Sequence, residues 1–179
     1  NPIVLELGCG KGEYTVALAK KYPNKNFIGI DIKGARFWRG AKTAVEENIP
    51  NAAFIRTQIE LIEYVFAENE VDEIWITFPD PFPKKRQIKH RMMNVPFLEK
   101  YRHILVPNGI IHYKTDNIDL FKYSLEVFIK QDFFTIEELS FDLHENEELP
   151  DDLKIKTTYE KKFMDLGFSI NYSRLRMNA

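Results

Sequence analysis

The 179-residue chain is 44 % hydrophobic and 29 % charged, the balance of a folded domain with a real core and not of a disordered tail. Its net charge is −2, from 25 Lys and Arg against 27 Asp and Glu, so any binding of a polyanion must rest on local clusters. No apolar run reaches the ~20 residues of a membrane-spanning helix, and a single cysteine excludes an internal disulfide framework and fits a reducing, cytoplasmic compartment.

In chain order, apolar runs of strand length alternate with helical patterns. Ile3–Leu7 reads as a strand and Glu13–Lys21 as a helix; Asn26–Ile30 as a strand and Gly34–Glu47 as a helix. Ala53–Arg56 is a short strand before a short helix at Glu60–Ala67, and Glu73–Phe78 a strand before a helix at Val95–Leu105. Gly109–Lys114 and Leu120–Lys130 repeat the pattern. Such alternation predicts an α/β fold with a parallel sheet covered on both faces. Phe133–Phe141 and Phe168–Arg174 read as two further strands, separated by an acidic stretch and a helix near Tyr159–Leu166. No repeat or linker divides the chain, so 1–179 reads as one domain. It opens on Asn1-Pro2 without a Met, and a preceding segment is expected.

Polar residues stand where the apolar runs stop: Glu6, Asp31, Gln58, Asp80 and Asp116-Asn117. In an open parallel sheet the ligand crevice lies beyond the carboxyl ends of the strands, so these residues are expected along one edge. Glu6-Leu7-Gly8-Cys9-Gly10-Lys11-Gly12 follows the first strand and opens a helix. A dinucleotide fingerprint wants its third glycine at position 13, where this chain has Glu13. That disfavours NAD and suits S-adenosyl-L-methionine, which has no pyrophosphate to cradle. Asp31, at the end of the second strand, is placed to hydrogen-bond ribose hydroxyls. Cys9 reads as a small residue between two glycines, since a nucleophile would need a base beside it. The scattered histidines have no metal-ligand spacing, and His112, inside an apolar strand, reads as a core histidine.

The charges are segregated. Five of the eight residues from Lys84 to Arg91 are Lys or Arg, whereas Glu137–Asp152 holds eight acids and no Lys or Arg. The acidic run reads as a solvated surface. The basic run follows Phe78-Pro79-Asp80-Pro81-Phe82-Pro83 directly, which places one carboxylate in a proline-stiffened turn beside a phosphate-binding block.

That stretch, with Tyr113-Lys114-Thr115-Asp116-Asn117 and Thr157-Thr158-Tyr159-Glu160, resembles the motifs of the bacterial tRNA (guanine-N7)-methyltransferase family in order and spacing, across essentially the whole chain. The resemblance implies a Rossmann-like class I methyltransferase: a seven-stranded, mostly parallel sheet with helices on both faces and an antiparallel C-terminal hairpin. It implies methylation of guanine-46 in the tRNA variable loop. It further implies Glu6, Gly8, Gly10, Asp31, Gln58 and Asp80 around the cofactor, with Asp80 catalytic. Lys84, Asp116, Thr157, Thr158, Tyr159 and Glu160 would contact substrate, and Lys85, Arg86, Lys89, His90 and Arg91 the RNA.

Two positions depart from the family pattern: Gln58 stands where Asp is usual, and Phe82 where Trp is usual. An amide still donates to and accepts from an adenine edge, while Phe82 keeps a stacking ring without the indole N–H. Two other readings remain open on the residues alone. Amino-group methyltransferases carry Asp/Asn-Pro-Pro-Tyr/Phe after the fourth strand, and Asp80-Pro81-Phe82-Pro83 has those letters in another order. A tRNA-binding module of the same fold without catalysis is the other. Thr157 with Glu160 three residues on also fits a helix capping box.

Overall fold

The computed structural model describes residues 1–179. Seven strands form a single sheet: β1 (Ile3–Leu7), β2 (Asn26–Asp31), β3 (Ala52–Arg56), β4 (Val71–Thr77), β5 (Leu105–Thr115), β6 (Phe134–Ser140) and β7 (Asn171–Met177). Their order is β3-β2-β1-β4-β5-β7-β6. The pairs β1–β2, β1–β4, β2–β3 and β4–β5 are parallel. Only β7 runs the other way, antiparallel to both β5 and β6. The expected hairpin is therefore an antiparallel pair whose strands are joined by a long connection, with β7 wedged between β6 and the parallel sheet.

Five helices cover the sheet: α1 (Glu13–Lys21), α2 (Gly34–Glu46), α3 (Val95–Ile104), α4 (Ile118–Lys130) and α5 (Thr158–Asp165). Side chains alternate across a strand, and β4 shows the consequence. Ile74 and Ile76 join a core with Leu5, Leu7, Phe97, Leu98 and Phe121, beneath α3 and α4. Trp75 faces the opposite core with Val4, Tyr14, Leu18 and Tyr172, beneath α1. No helix is long and apolar enough to cross a membrane.

Strand β5 starts at Leu105, four residues before the expected Gly109, and three further features differ from the sequence expectation, each for a local reason. Glu60–Ala67 forms a 3-10 helix at Ile59–Tyr64, where only Ile62 is buried, too little apolar face to sustain an α-helix. Strand β7 starts at Asn171, not Phe168, because the Phe168 ring packs on Phe163 at 5.8 Å, continuing a stack from Tyr159. The acidic run is only partly a solvated surface. Leu143, Leu149 and Leu153 are buried in the α1-side core, and Asp152 pairs with Lys21 while its carbonyl accepts from the Tyr14 hydroxyl at 2.6 Å.

Candidate functional site

The sheet order reverses between β1 and β4, and the loops that follow them open a crevice there, as the rule for such sheets requires. The crevice has two connected parts of about 540 and 570 Å³ that share Gly8, Arg36, Phe78, Pro79 and Asp80.

The first part lies over the glycine loop. Gly8, Gly10 and Gly12 have φ of 71, 54 and 75°, a region costly for residues with a Cβ. Beyond conformation, they serve differently. A Cβ on Gly8 or Gly10 would meet nothing within 4 Å, so both border open space. On Gly12 it would lie 2.5 Å from the Phe54 ring, so that glycine lets α1 close against its neighbours.

Glu6 forms the floor. It is 5 % exposed and accepts from the Thr15 amide at 3.0 Å, the Thr15 hydroxyl at 2.5 Å and the Thr77 hydroxyl at 3.1 Å. The Thr15 amide belongs to the first turn of α1, whose dipole favours an anion. Burial pushes the carboxyl up and these donors pull it back, leaving it at about 7. Burial likewise pushes the Cys9 thiol up, which suits a small spacer and not a thiolate.

Asp31, at the end of β2, lines the second part with Gln58, Phe82 and His90. It accepts from the Gly10 amide at 3.0 Å and the Lys33 amide at 2.9 Å. A carboxylate has about four acceptor positions, so Asp31 fixes the glycine loop and keeps capacity for a ligand. Glu6 and Asp31 thus open into one crevice from adjacent strands.

Asp80 lines both parts and is itself exposed. The turn carrying it is strained: Phe78 and Phe82 have φ of 53 and 43°, rare for bulky side chains. Two anchors hold it. The Phe78 amide donates to the Lys114 carbonyl at 2.9 Å, and Arg91 donates to the carbonyls of Pro81 at 3.0 Å and Phe82 at 3.2 Å. The Arg91 guanidinium also lies 4.3 Å from the Tyr123 ring centroid. Arg91 is therefore turned inward, whereas Lys84, Lys85, Arg86, Lys89 and His90 are exposed on and beside a 3-10 helix at Lys85–His90.

The far wall comes from the start of α5. Thr157 caps it, its hydroxyl accepting from the Glu160 amide at 3.2 Å. The other half of a capping box is missing, because the Glu160 carboxylate turns away. It is fully buried and contacts Lys114 Nζ at 2.8 Å and His144 Nε2 at 2.7 Å. Lys114 is equally buried and donates to the Leu153 carbonyl at 2.9 Å. In place of Glu160, Glu13 reaches across from α1 and accepts from the Thr158 amide at 2.9 Å and hydroxyl at 2.5 Å. Thr157, Thr158 and Tyr159 face the crevice. Asp116 lies outside both parts of the crevice but its carboxylate is 3.5 Å from the Tyr159 hydroxyl, and burial pushes it up.

The structure thus gathers Glu6, Gly8, Gly10, Asp31, Gln58, Asp80, Thr157, Thr158 and Tyr159 around one crevice. Glu160 and Arg91 are set behind its walls. Sequence reasoning missed Lys114, Glu13, Thr15 and Thr77, which fix the site from underneath; only Lys114, an ammonium inside an apolar strand, carried a signal. His112 is satisfied in the core, its Nδ1 2.9 Å from the Tyr172 hydroxyl and its ring stacked on Trp75 at 3.9 Å. No group of three or more His, Cys, Asp or Glu side chains is placed to hold a metal ion.

A glycine loop with open space above it, a buried acid at the end of β2 and this strand order define a class I methyltransferase fold. A solved rRNA methylase from Streptococcus thermophilus superposes with a TM-score of 0.68 over 100 % of this chain and 88 % of that one, at 15 % identity. A family model described as "Putative methyltransferase" matches residues 1–171. The tRNA (guanine-N(7)-)-methyltransferase of Christiangramia forsetii is 56 % identical over 178 residues, covering 99 % of this chain and 79 % of the relative. Its counterpart from Bacteroides fragilis is 49 % identical, covering 96 % and 67 %. The chain belongs to the tRNA (guanine-N(7)-)-methyltransferase family.

Proposed function

We propose that this protein methylates N7 of guanine-46 in the variable loop of tRNA, in the cytoplasm, with S-adenosyl-L-methionine as donor. The observation that carries the reading is the meeting of Glu6, Asp31 and Asp80 in one crevice next to the exposed Lys84–His90 face. The residues fit the donor: open space over Gly8 and Gly10 admits a ligand against the backbone, and Asp31 has acceptor capacity for ribose hydroxyls. Gln58 lies on the Asp31 side of the crevice, where its amide serves an adenine edge. When bound, the cofactor supplies an electrophilic sulfonium methyl.

Guanine N7 carries its lone pair at neutral pH, so the site needs no general base. What the chain provides is position and field. Asp80 stabilises the positive charge that grows on the purine, and Asp80 and Asp116 accept from guanine N1–H and its amine. Adenine offers an acceptor at N1 and would leave a carboxylate unpaired, a penalty of about 1–3 kcal/mol. Phe82 and Tyr159 offer rings against which an extruded base can stack. Lys84, Thr157 and Thr158 contact the substrate backbone, and Glu160 holds their helix in place.

The direct test incubates the protein with tRNA and S-adenosylmethionine, then treats the RNA with borohydride and aniline. Cleavage at the variable-loop guanine is the expected result. Intact RNA, or an amino-methylated base found by nucleoside mass spectrometry, would reject the reading.

Two further outcomes follow from the geometry. The exposed Lys84 and Arg86 should each contribute about one unit to the salt dependence of tRNA binding, so Lys84→Ala/Arg86→Ala flattens a plot of log Kd against log salt. Arg91→Ala should instead lower turnover, because it frees the Asp80 turn; equal effects on salt slope would refute this division.

Glu6 makes cofactor binding depend on pH. Its carboxyl sits at about 7 in the fold against 4.5 ordinarily. Between those values the native state keeps a proton that the unfolded chain has lost, so unliganded stability falls as pH rises through that window. A cation binds better beside the ionised carboxylate. Affinity for S-adenosylmethionine should therefore rise up to about tenfold from pH 6 to 8, measured by calorimetry, and Glu6→Gln should remove the trend.

A further inference from the structure

The crevice rim on the glycine-loop side carries three cations that take no part in the contacts described above. Lys11 lies in the glycine loop, Arg36 in the first turn of α2, and Lys162 in α5. All three are exposed and line the Glu6 part of the crevice, and Arg36 also lines the Asp31 part. Of the exposed lysines elsewhere, Lys20, Lys21 and Lys42 each pair with a carboxylate, whereas Lys33, Lys122, Lys130, Lys156 and Lys161 stand singly on the surface; what sets the rim cations apart is that three of them line one crevice. None of the three rim cations enters a salt bridge. Of the acids lining that part, Glu13 is committed to Thr158 and Glu6 to Thr15 and Thr77, which leaves Asp80 as the exposed carboxylate there. Three separate elements therefore bring uncommitted positive charge to one mouth, in a protein whose net charge is −2.

We propose that Lys11, Arg36 and Lys162 form a second phosphate-binding edge, facing the Lys84–His90 edge across the crevice, so that the RNA backbone is held on both sides of the entering base. This rests on the tRNA reading above. A nucleotide drawn out of a folded RNA leaves phosphates diverging on its two flanks. Contacts to one flank alone leave it free to pivot, whereas contacts to both fix its register. Arg36 supplies a forked donor suited to phosphate, and the two lysines supply point charges.

The test compares tRNA binding by the wild type, a Lys11→Ala/Arg36→Ala/Lys162→Ala variant, and a charge-matched Lys20→Ala/Lys42→Ala/Lys130→Ala variant, none of whose sites lines the crevice. The rim variant should bind tRNA at least about tenfold more weakly and lower the slope of log Kd against log salt by about 2. Its affinity for S-adenosylhomocysteine, read by calorimetry, should stay near the wild-type value. Equal weakening by the charge-matched variant would overturn the proposal. So would a rim variant that loses the cofactor and keeps tRNA, since its cations would then serve the cofactor's carboxylate. Failure of the wild type to methylate would strike the catalytic reading instead, and the binding comparison would still decide whether the second edge exists.

Discussion

Asp80→Ala is expected to lower kcat by about 10²–10³-fold, the scale of removing one preorganised electrostatic partner of a transition state, while tRNA affinity changes little. The expectation comes from placement. Asp80 is the acid that lines both parts of the crevice, and it stands between two prolines whose rings fix their own φ. The flanking Phe78 and Phe82 hold left-handed φ values that cost of order 1–3 kcal/mol each. Lys114 and Arg91 hold that strain through the backbone of Phe78, Pro81 and Phe82. Asp80→Asn keeps the shape and an acceptor but loses the charge, so its turnover should fall between wild type and alanine. Single-turnover methylation with saturating tRNA makes the measurement. Wild-type rates for Asp80→Ala would show that the carboxylate does no electrostatic work.

The second large effect is structural. Lys114→Met should destabilise the fold by about 3–5 kcal/mol, because removing one member of a buried ion pair leaves the Glu160 carboxylate buried with its ammonium partner gone. Lys114 and Glu160 are both fully buried, with His144 as the only other charged-type partner of the carboxylate. Burial holds the Lys114 ammonium below its ordinary value despite Glu160, so the pair is costly to bury and more costly to break. Lys114→Met/Glu160→Gln, which buries no lone charge, should regain part of the loss. Urea unfolding at pH 7 reads both. A Lys114→Met variant within about 1 kcal/mol of wild type, the scale of a surface pair, would show the interaction to be solvated. The same variant should raise KM for tRNA, since Lys114 ties β5 to the helix that presents Thr157, Thr158 and Tyr159.

The sheet was legible because each strand is a short apolar run bounded by polar residues, and the glycine loop because its spacing departs visibly from a dinucleotide fingerprint. The Asp80 turn was legible because its prolines, acid and basic block are contiguous. What escaped was whatever depends on two distant residues meeting. Glu13 caps Thr158 across 145 residues, and nothing near either position announces it. Glu160 had every local mark of a reciprocal cap, yet a buried lysine 46 residues away claimed its carboxylate, since an unpaired ammonium there costs more than an uncapped amide at a half-open helix end. Arg91 sat in a run of surface cations and was the one turned inward. Lys11, Arg36 and Lys162 are unremarkable one by one, and only folding makes them neighbours.

The reversed strand β7 has a consequence for how the protein is made. It is the last of the seven to leave the ribosome, and until it arrives β5 lacks a partner on one side and β6 on both, open edges of the kind that recruit other chains. The segment carrying α5 immediately precedes it, tethered at one end to β6 and at the other to β7. Insertion of that final strand therefore joins β6 to the sheet and draws the α5 segment up beside the crevice in one step, leaving β3 and β6 as the two edges of the finished sheet.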